Sequence, residues 1–421
     1  MNKGYYNNEK GIGIVFDDIY LINGARTAFG KYCGSLSQIS PTDLGIFASK
    51  AAIANSNINA SDINQAIFAN IGQSSGDAYF LPRHIALFSG VPTNVPSLMV
   101  QRICGSGFET IITASEQIQL RKADTALCCG TENMSLSPTV SFGNRMGYPL
   151  GRPVFKDMLW EALDDTAAGY PMGFTAENVA QKHNISRTMC DDFALQSFQK
   201  ALQATTNKIF DKEITPINST VFEMDGLKSR KVKLSSKIKN FTTDEHIRPT
   251  TTESLTNLSP VFSEVGVLTA GNCSGIVDGA ASVIVGSKTF IEKRNLHPLT
   301  KIIAATSCGI DPKYMGLGPV PAIQLLLELT GLKIDEIDLI EINEAFSAQI
   351  IGCEIELKID RNKLNINGGA IALGHPLAAT GTRLSLTISN EMNRRKVKYG
   401  IASACIGGGQ GTAILFENIN M

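Results

Sequence analysis

Residues 96–108 read Pro96-Ser-Leu-Met-Val-Gln-Arg102-Ile-Cys104-Gly-Ser-Gly107-Phe108, and Ile111, Ile112, Ser115 and Ile118 follow. Residues 96–100 form a short apolar run of the kind that makes a strand, whereas beyond the glycines the apolar residues recur at helical spacing. A strand that turns into a helix across Cys104 predicts an α/β unit with a thiol at the turn. Outward from it the alternation continues. Residues 19–23 and 65–71 read as strands, 44–54 as a helix and 125–129 as a buried strand closed by Gly130. The fold class expected is therefore α/β.

The chain has 421 residues, 43% of them hydrophobic, and a formal charge of −1, which suits a soluble globular protein with two core-bearing units. Fibrous, disordered and disulfide-stapled classes are excluded. No window approaches the roughly 18 consecutive apolar residues of a membrane span. Residues 1–17 have neither an apolar signal core nor an Arg-rich, acid-poor composition, so the expected location is cytoplasmic. Nine cysteines, an odd number without a Cys-x-x-Cys, argue against a disulfide framework and a structural zinc site. The near-zero charge leaves no basic footprint for nucleic acid or for an anionic membrane.

Two further segments combine a reactive side chain with glycines: Asn367-Gly-Gly-Ala-Ile-Ala-Leu-Gly-His375-Pro376 and Ala404-Cys405-Ile-Gly-Gly-Gly-Gln-Gly411. A catalytic thiol needs a base, donors for a developing oxyanion and backbone that a substrate can approach. The three segments together supply all of these. A free thiol has a pKa of about 8.5, and a helix N-terminus with an adjacent imidazole raises its thiolate fraction. His375, one of only five histidines, sits in a turn-like setting. Cys405 offers a second thiol, which suits chemistry that both forms a thioester and moves a carbon-bound proton. Asn343, just after the strand-like residues 339–342, is suited to orient a water, and equally to cap a helix starting at Glu344. Taken singly, Cys104 and Cys405 also read as buried core thiols, and His375 as a satisfied turn residue.

From residue 131 to about 265 prolines 138, 149, 153 and 171 break the pattern, while residues 158–163 and 176–205 read as helices, as in an inserted lid. Strand character returns at 268–286, and a second alternating series runs from 299 to 416. Gly407 to Gly411 lies between two strand-like runs, 401–405 and 412–416, so it joins strands and is not a dinucleotide fingerprint. Residues Gly72-Gln-Ser74-Ser-Gly76 match the nucleophile-elbow pattern of serine hydrolases and define a rival enzyme class.

Eight ordered segments resemble the thiolase family, most of all the mitochondrial type of 3-ketoacyl-CoA thiolase. They are Arg102 to Phe108, Gly130-Thr-Glu-Asn-Met-Ser135, Met172-Gly-Phe-Thr-Ala-Glu-Asn178, Asp244-Glu-His-Ile-Arg-Pro249, Leu268-Thr-Ala-Gly-Asn-Cys-Ser-Gly275, Asn343-Glu-Ala-Phe346, Asn367 to Pro376, and Cys405 to Gly411. The resemblance implies two similar α/β halves in a layered αβαβα core: residues 1–290, with a CoA-binding loop domain at about 131–265, and residues 291–421.

It further implies thiolytic cleavage of 3-oxoacyl-CoA by CoA, and the reverse condensation. Cys104 would be the nucleophile and His375 the base. Cys405 would exchange the proton of acetyl-CoA. Asn343 would hold an oxyanion water and Gly407 would lend a backbone N–H. Coenzyme A, as substrate, would meet Arg248, Ser254 and Ser274, with Met172 and Phe346 along the pantetheine arm. Read from their own neighbours, Arg248 is a surface cation and Ser254 and Ser274 are helix caps. No metal or permanent cofactor is implied, and a homodimer or homotetramer is expected. Pro171 replaces a histidine of many biosynthetic members, which leans toward the degradative, broader-chain type over an acetoacetyl-CoA-specific enzyme. Ala378 and Thr380 replace an expected glycine and serine and would crowd the turn beside His375. A CoA-binding relative without chemistry is a third reading, opposed by the retention of both thiols and the histidine.

Overall fold

A computed structural model describes residues 4–421 apart from Pro149 and Ser236, so Pro149, one of the prolines read as breaking the insert, lies outside the described residues. Its backbone is a mixed sheet whose strand order is mirrored about the centre. The first half contributes β1 (Gly11–Thr27), β2 (Gln65–Ala69), β3 (Ser97–Met99), β4 (Thr125–Glu132) and β5 (Val277–Ser287). The second contributes β6 (Thr300–Gly309), β7 (Leu339–Ile342), β8 (Tyr399–Ile406) and β9 (Gln410–Glu417). Along the sheet the order is β7-β8-β9-β6-β1-β5-β4-β2-β3.

In each half the first strand pairs antiparallel with the last, the last antiparallel with the one before it, and the next pair is parallel. The halves join where β1 and β6 run antiparallel. A duplication too weak to see in the sequence is thus plain in strand order. β1 is far longer than the residues 19–23 expected, because it serves both halves.

Helices α1 (Pro41–Asn55), α2 (Leu81–Phe88) and α3 (Ser106–Gln119) belong to the first half. The other long helices are α4 (Met172–His183), α5 (Arg187–Thr206), α6 (Pro319–Thr330), α7 (Ser347–Leu357) and α8 (Leu377–Arg395), and short ones include Met158–Leu163, where a helix was expected. Three large apolar cores stack through the molecule. One holds Leu44 and Ile46 of α1 and Ile85 of α2 against Phe68 and Leu127. A central one holds Phe108 and Ile111 of α3 with Leu384 and Ile388 of α8, between strands of both halves. The third holds Ile323 of α6 and Ile350 of α7 against Ile401 and Leu415. The one sheet thus folds around the α3–α8 layer, and further helices cover each half from outside, which gives the helix, sheet, helix, sheet, helix order expected.

The central layer depends on glycine. A Cβ on Gly107 would stand 2.6 Å from the carbonyl oxygen of Ala378, and one on Gly130 would stand 1.9 Å from the same atom. Gly107 therefore serves close contact between the starts of α3 and α8, whereas a Cβ on Gly105 would stand 2.5 Å from Ile406 Cδ1. The α3–α8 contact brings the Cys104 turn and the His375 turn together. Gly130→Ala is expected to cost about 1–3 kcal/mol or more by overpacking, read as a lower urea midpoint.

Residues 131–132 complete strand β4. The helix expected over 176–205 is two helices, because Asn184 turns left-handed (φ 53°) and Ser186 caps a new start by accepting from the Met189 N–H. Both α4 and α5 bury apolar faces in the core of the second half, with Val179, Ala194 and Phe198 beside Ile351 and Leu357. A fully buried Arg26 on β1 ties the insert to the sheet through Glu213 (2.6 Å) and a bidentate pair with Asp244 (2.7 and 2.9 Å). Among the described residues no helix is long and apolar enough to cross a membrane.

Candidate active site

Cys104 sits on the turn between β3 and α3, as expected. Its predecessor Ile103 adopts φ 42°, a left-handed conformation that costs a β-branched residue energy and marks a built feature. The turn is held by Ser106, whose hydroxyl accepts from the Arg102 N–H and donates to the Ile103 carbonyl, each at 2.7 Å. Burial pushes the Cys104 thiol up to about 11, the N–H groups of Gly407 and of Cys104 itself pull it down, and the charge of Glu132 adds to the rise. The resting thiol is therefore protonated. Its helix-terminal position does not store a thiolate, so activation has to accompany proton transfer.

His375 is also buried. Its backbone N–H donates to the Gly275 carbonyl (2.9 Å), Nδ1 donates to Thr380 Oγ1 (2.6 Å), and Asn343 Nδ2 donates to Nε2 (3.3 Å). Nε2 thus carries the lone pair and is the basic atom. Burial, and then the charge of Arg383, lower its pKa to about 3, so the imidazole is neutral at physiological pH. Thr380 does not merely crowd the turn. Its hydroxyl makes the bond a serine would make and orients the ring, while the Asn343 amide N–H on Nε2 sets the tautomer. Thr380→Val is expected to lower kcat about tenfold to a hundredfold with KM little changed, while Thr380→Ser stays near the parent; steady-state kinetics check this.

Asn343 caps no helix, since α7 begins at Ser347 and the Asn343 amide is turned to His375. Its Oδ1 is buried with no hydrogen-bond partner among the described residues. Cys405 is the penultimate residue of β8, 1% exposed, and its thiol is held well above the ordinary range by burial, with the charges of Cys104 and Cys353 adding to the shift. Cys104 is close enough to oppose the ionisation of Cys405. Gly407 follows in the turn between β8 and β9, and a Cβ there would meet Met172 Cε at 2.3 Å.

A cavity of about 430 Å³ reaches this group, lined by Met134, Met172, Ser274, Phe346, His375 and Leu377. The two thiols lie just behind its wall. Cys104 packs against Met134 and Leu377, and Cys405 against Met172, with Phe346 beside it. Ser274 caps no helix; its N–H donates to the Ala345 carbonyl (3.0 Å). Arg248 is not part of the cavity wall; it donates to the carbonyl of His246, which is, and its guanidinium stands 4.7 Å from the Phe198 ring centroid. Ser254 is within a short helix that Thr251 caps, and its hydroxyl donates to the Thr251 carbonyl (2.7 Å). It is not part of the cavity wall.

Sequence reasoning missed Glu132. Its buried carboxylate accepts from Asn70 Nδ2 (2.8 Å) and the N–H groups of Gly72 (2.9 Å), Ile71 (3.1 Å) and Ala378 (3.3 Å). It joins the residue 70–72 loop to the His375 turn. The geometry of Ser74 speaks against the hydrolase reading. Ser74 Oγ donates to the Asn133 carbonyl (2.6 Å), and the next α-helix starts only at Leu81.

Burial raises Glu132 to about 7 and Glu341, beside Arg383, to about 8. Folded, each holds its proton above the ordinary carboxyl pKa of 4.5, so its contribution to folding stability declines as pH rises from about 4.5 through 7–8, offset in part below 6.5 by His375, which folding keeps neutral. Thermal unfolding should show a falling midpoint across this window, flattened by Glu341→Gln.

Comparison with known proteins gives the class and then the family. The family models described as "Thiolase, N-terminal domain" and "Thiolase, C-terminal domain" match residues 19–289 and 296–418. A mitochondrial 3-ketoacyl-CoA thiolase of Bos taurus is 42% identical over 95% of this chain and 98% of its own length. An acetyl-CoA acetyltransferase of Cupriavidus necator is 38% identical over 95% and 99%. The crystal structure of human mitochondrial 3-ketoacyl-CoA thiolase in complex with CoA superposes with a TM-score of 0.90 at 41% identity, covering 95% of this chain and 98% of that one. The fold and the site define an acyltransferase. The chain belongs to the thiolase family.

Proposed function

We propose that this enzyme cleaves 3-oxoacyl-CoA with CoA to give acetyl-CoA and an acyl-CoA two carbons shorter, and runs the reverse condensation. The observation that carries this is that two buried thiols and a neutral imidazole whose lone pair sits on Nε2 border one cavity. Cys104 gives its proton to His375 and attacks the 3-oxo carbon. The C2–C3 bond breaks, the acyl group stays on Cys104, and Cys405 protonates the departing acetyl-CoA enolate. CoA then takes the acyl group from Cys104.

The backbone N–H groups of Cys104 and Gly407, both directed at the nucleophile's sulfur, suit one oxyanion, and His375 with Asn343 suits the other. Coenzyme A would enter past Ser274, Met172 and Phe346 with its phosphates toward Arg248; Ser254 enters this reading through the family resemblance alone. The inserted residues 131–265 would act as the CoA-holding lid between halves 1–290 and 291–421, in a homodimer or homotetramer.

Pro171 and the apolar Trp160 and Leu163 on the cavity wall favour chains longer than acetoacetyl. Initial rates of thiolysis with acetoacetyl-CoA and with six- and eight-carbon 3-oxoacyl-CoA test this. The longer substrates should match or exceed acetoacetyl-CoA in kcat/KM; turnover of acetoacetyl-CoA alone would identify an acetoacetyl-specific enzyme.

A further inference from the structure

A second cavity, of about 510 Å³, shares no lining residue with the catalytic one and opens between α1, α2 and the hairpin of Thr220–Phe222 with Arg230–Val232. Its wall carries Arg83, His84, Lys228, Arg230 and Lys231 against one carboxylate, Asp43. In a chain of formal charge −1 this is a concentrated positive region.

The carboxylates near it are already occupied. Arg230 Nε bonds Asp43 (2.6 Å) and Arg230 Nη1 bonds Asp77 (2.7 Å), which also meets His84 Nδ1 at 3.2 Å. Arg83 is fixed by two backbone carbonyls, with Nη1 on Val95 (2.6 Å) and Nη2 on Thr93. Those bonds orient the guanidinium without neutralising it. Lys228 and Lys231 are exposed and make no ion pair among the described residues.

Two pinned guanidinium groups and two free ammonium groups therefore face two spent carboxylates, an excess that favours an anion with several oxygens. Pre-orientation of the arginines reduces the entropy lost on binding. Leu87 and the half-exposed Leu227 flank the charges and offer an apolar face to a planar ring.

We propose that this cavity binds a phosphorylated nucleoside, its phosphates on Lys228, Lys231 and Arg83 and its base between Leu87 and Leu227. The site is independent of the thiolase chemistry and is separate from that of the substrate's own nucleotide.

Titration calorimetry of the full-length protein with ADP and with adenosine tests it, alongside the Lys228→Glu/Lys231→Glu double variant. The expected result is ADP binding at least about tenfold tighter than adenosine. The double variant should bind ADP at least about tenfold more weakly while its KM for CoA in thiolysis stays within about twofold. Equal binding of ADP and adenosine, or no ADP binding, would overturn the proposal. So would a double variant that holds ADP as tightly as the parent. A rise in KM for CoA in step with lost ADP binding would also overturn it, by making this the nucleotide end of the substrate site.

Discussion

Cys405→Ala is expected to slow thiolytic cleavage by about 10²–10⁴-fold, the range for loss of a positioned proton donor, while leaving acetylation of Cys104 by acetyl-CoA intact. The two outcomes separate because acyl transfer between two sulfurs moves no carbon-bound proton, whereas departure of an acetyl-CoA enolate requires one. Cys405 is suited to that single step. It is 1% exposed, and burial keeps its thiol protonated until an enolate arrives. Its alanine variant should fold, since the side chain is small and lies in a strand end among Met172, Met315 and Ala345. Thiolysis rates and a single-turnover acetylation assay on the same preparation read both halves.

His375→Ala is expected to remove both halves, by about 10⁴-fold or more, because one side chain supplies the base and part of an oxyanion site. The Cys104 thiol is pushed up to about 11 by burial, so without an acceptor for its proton there is almost no nucleophile at neutral pH. The expected signature is failure of single-turnover acetylation, which Cys405→Ala retains. Raising the pH should rescue His375→Ala in part, since hydroxide can then take the proton. A variant that acetylates at the parent rate would remove His375 from the base role.

How much of this was readable beforehand differs by element. The Cys104 turn followed from a change of hydrophobic period across it, and the glycine run at 407–409 was placed between strands by its flanks; both stand as expected. Cys104, His375, Cys405 and Asn343 were legible as candidates because each sits in a distinctive local segment.

Their mutual geometry was not legible. It depends on Gly107 and Gly130, whose missing side chains let α3 and β4 meet the start of α8, and one-dimensional spacing cannot say which distant backbone a glycine faces. Glu132 was missed for a related reason. Its four partners come from residues 70–72 and 378, and a glutamate in a polar-looking segment carries no sign of burial. Thr380 was read only as excess bulk, since a local reading counts its methyl but not the imidazole opposite its hydroxyl. The break at Asn184 was lost because apolar spacing resumes in phase after it.

The central claim is that one sulfur carries the acyl group and releases it to CoA. Incubation with acetyl-CoA followed by peptide mass mapping tests it most directly. The account predicts a single acetyl group on the peptide containing Cys104, discharged on addition of CoA and absent from Cys104→Ala. A stable acetyl group on Cys405, Cys273 or Ser74, or no adduct at all on an active preparation, would contradict it.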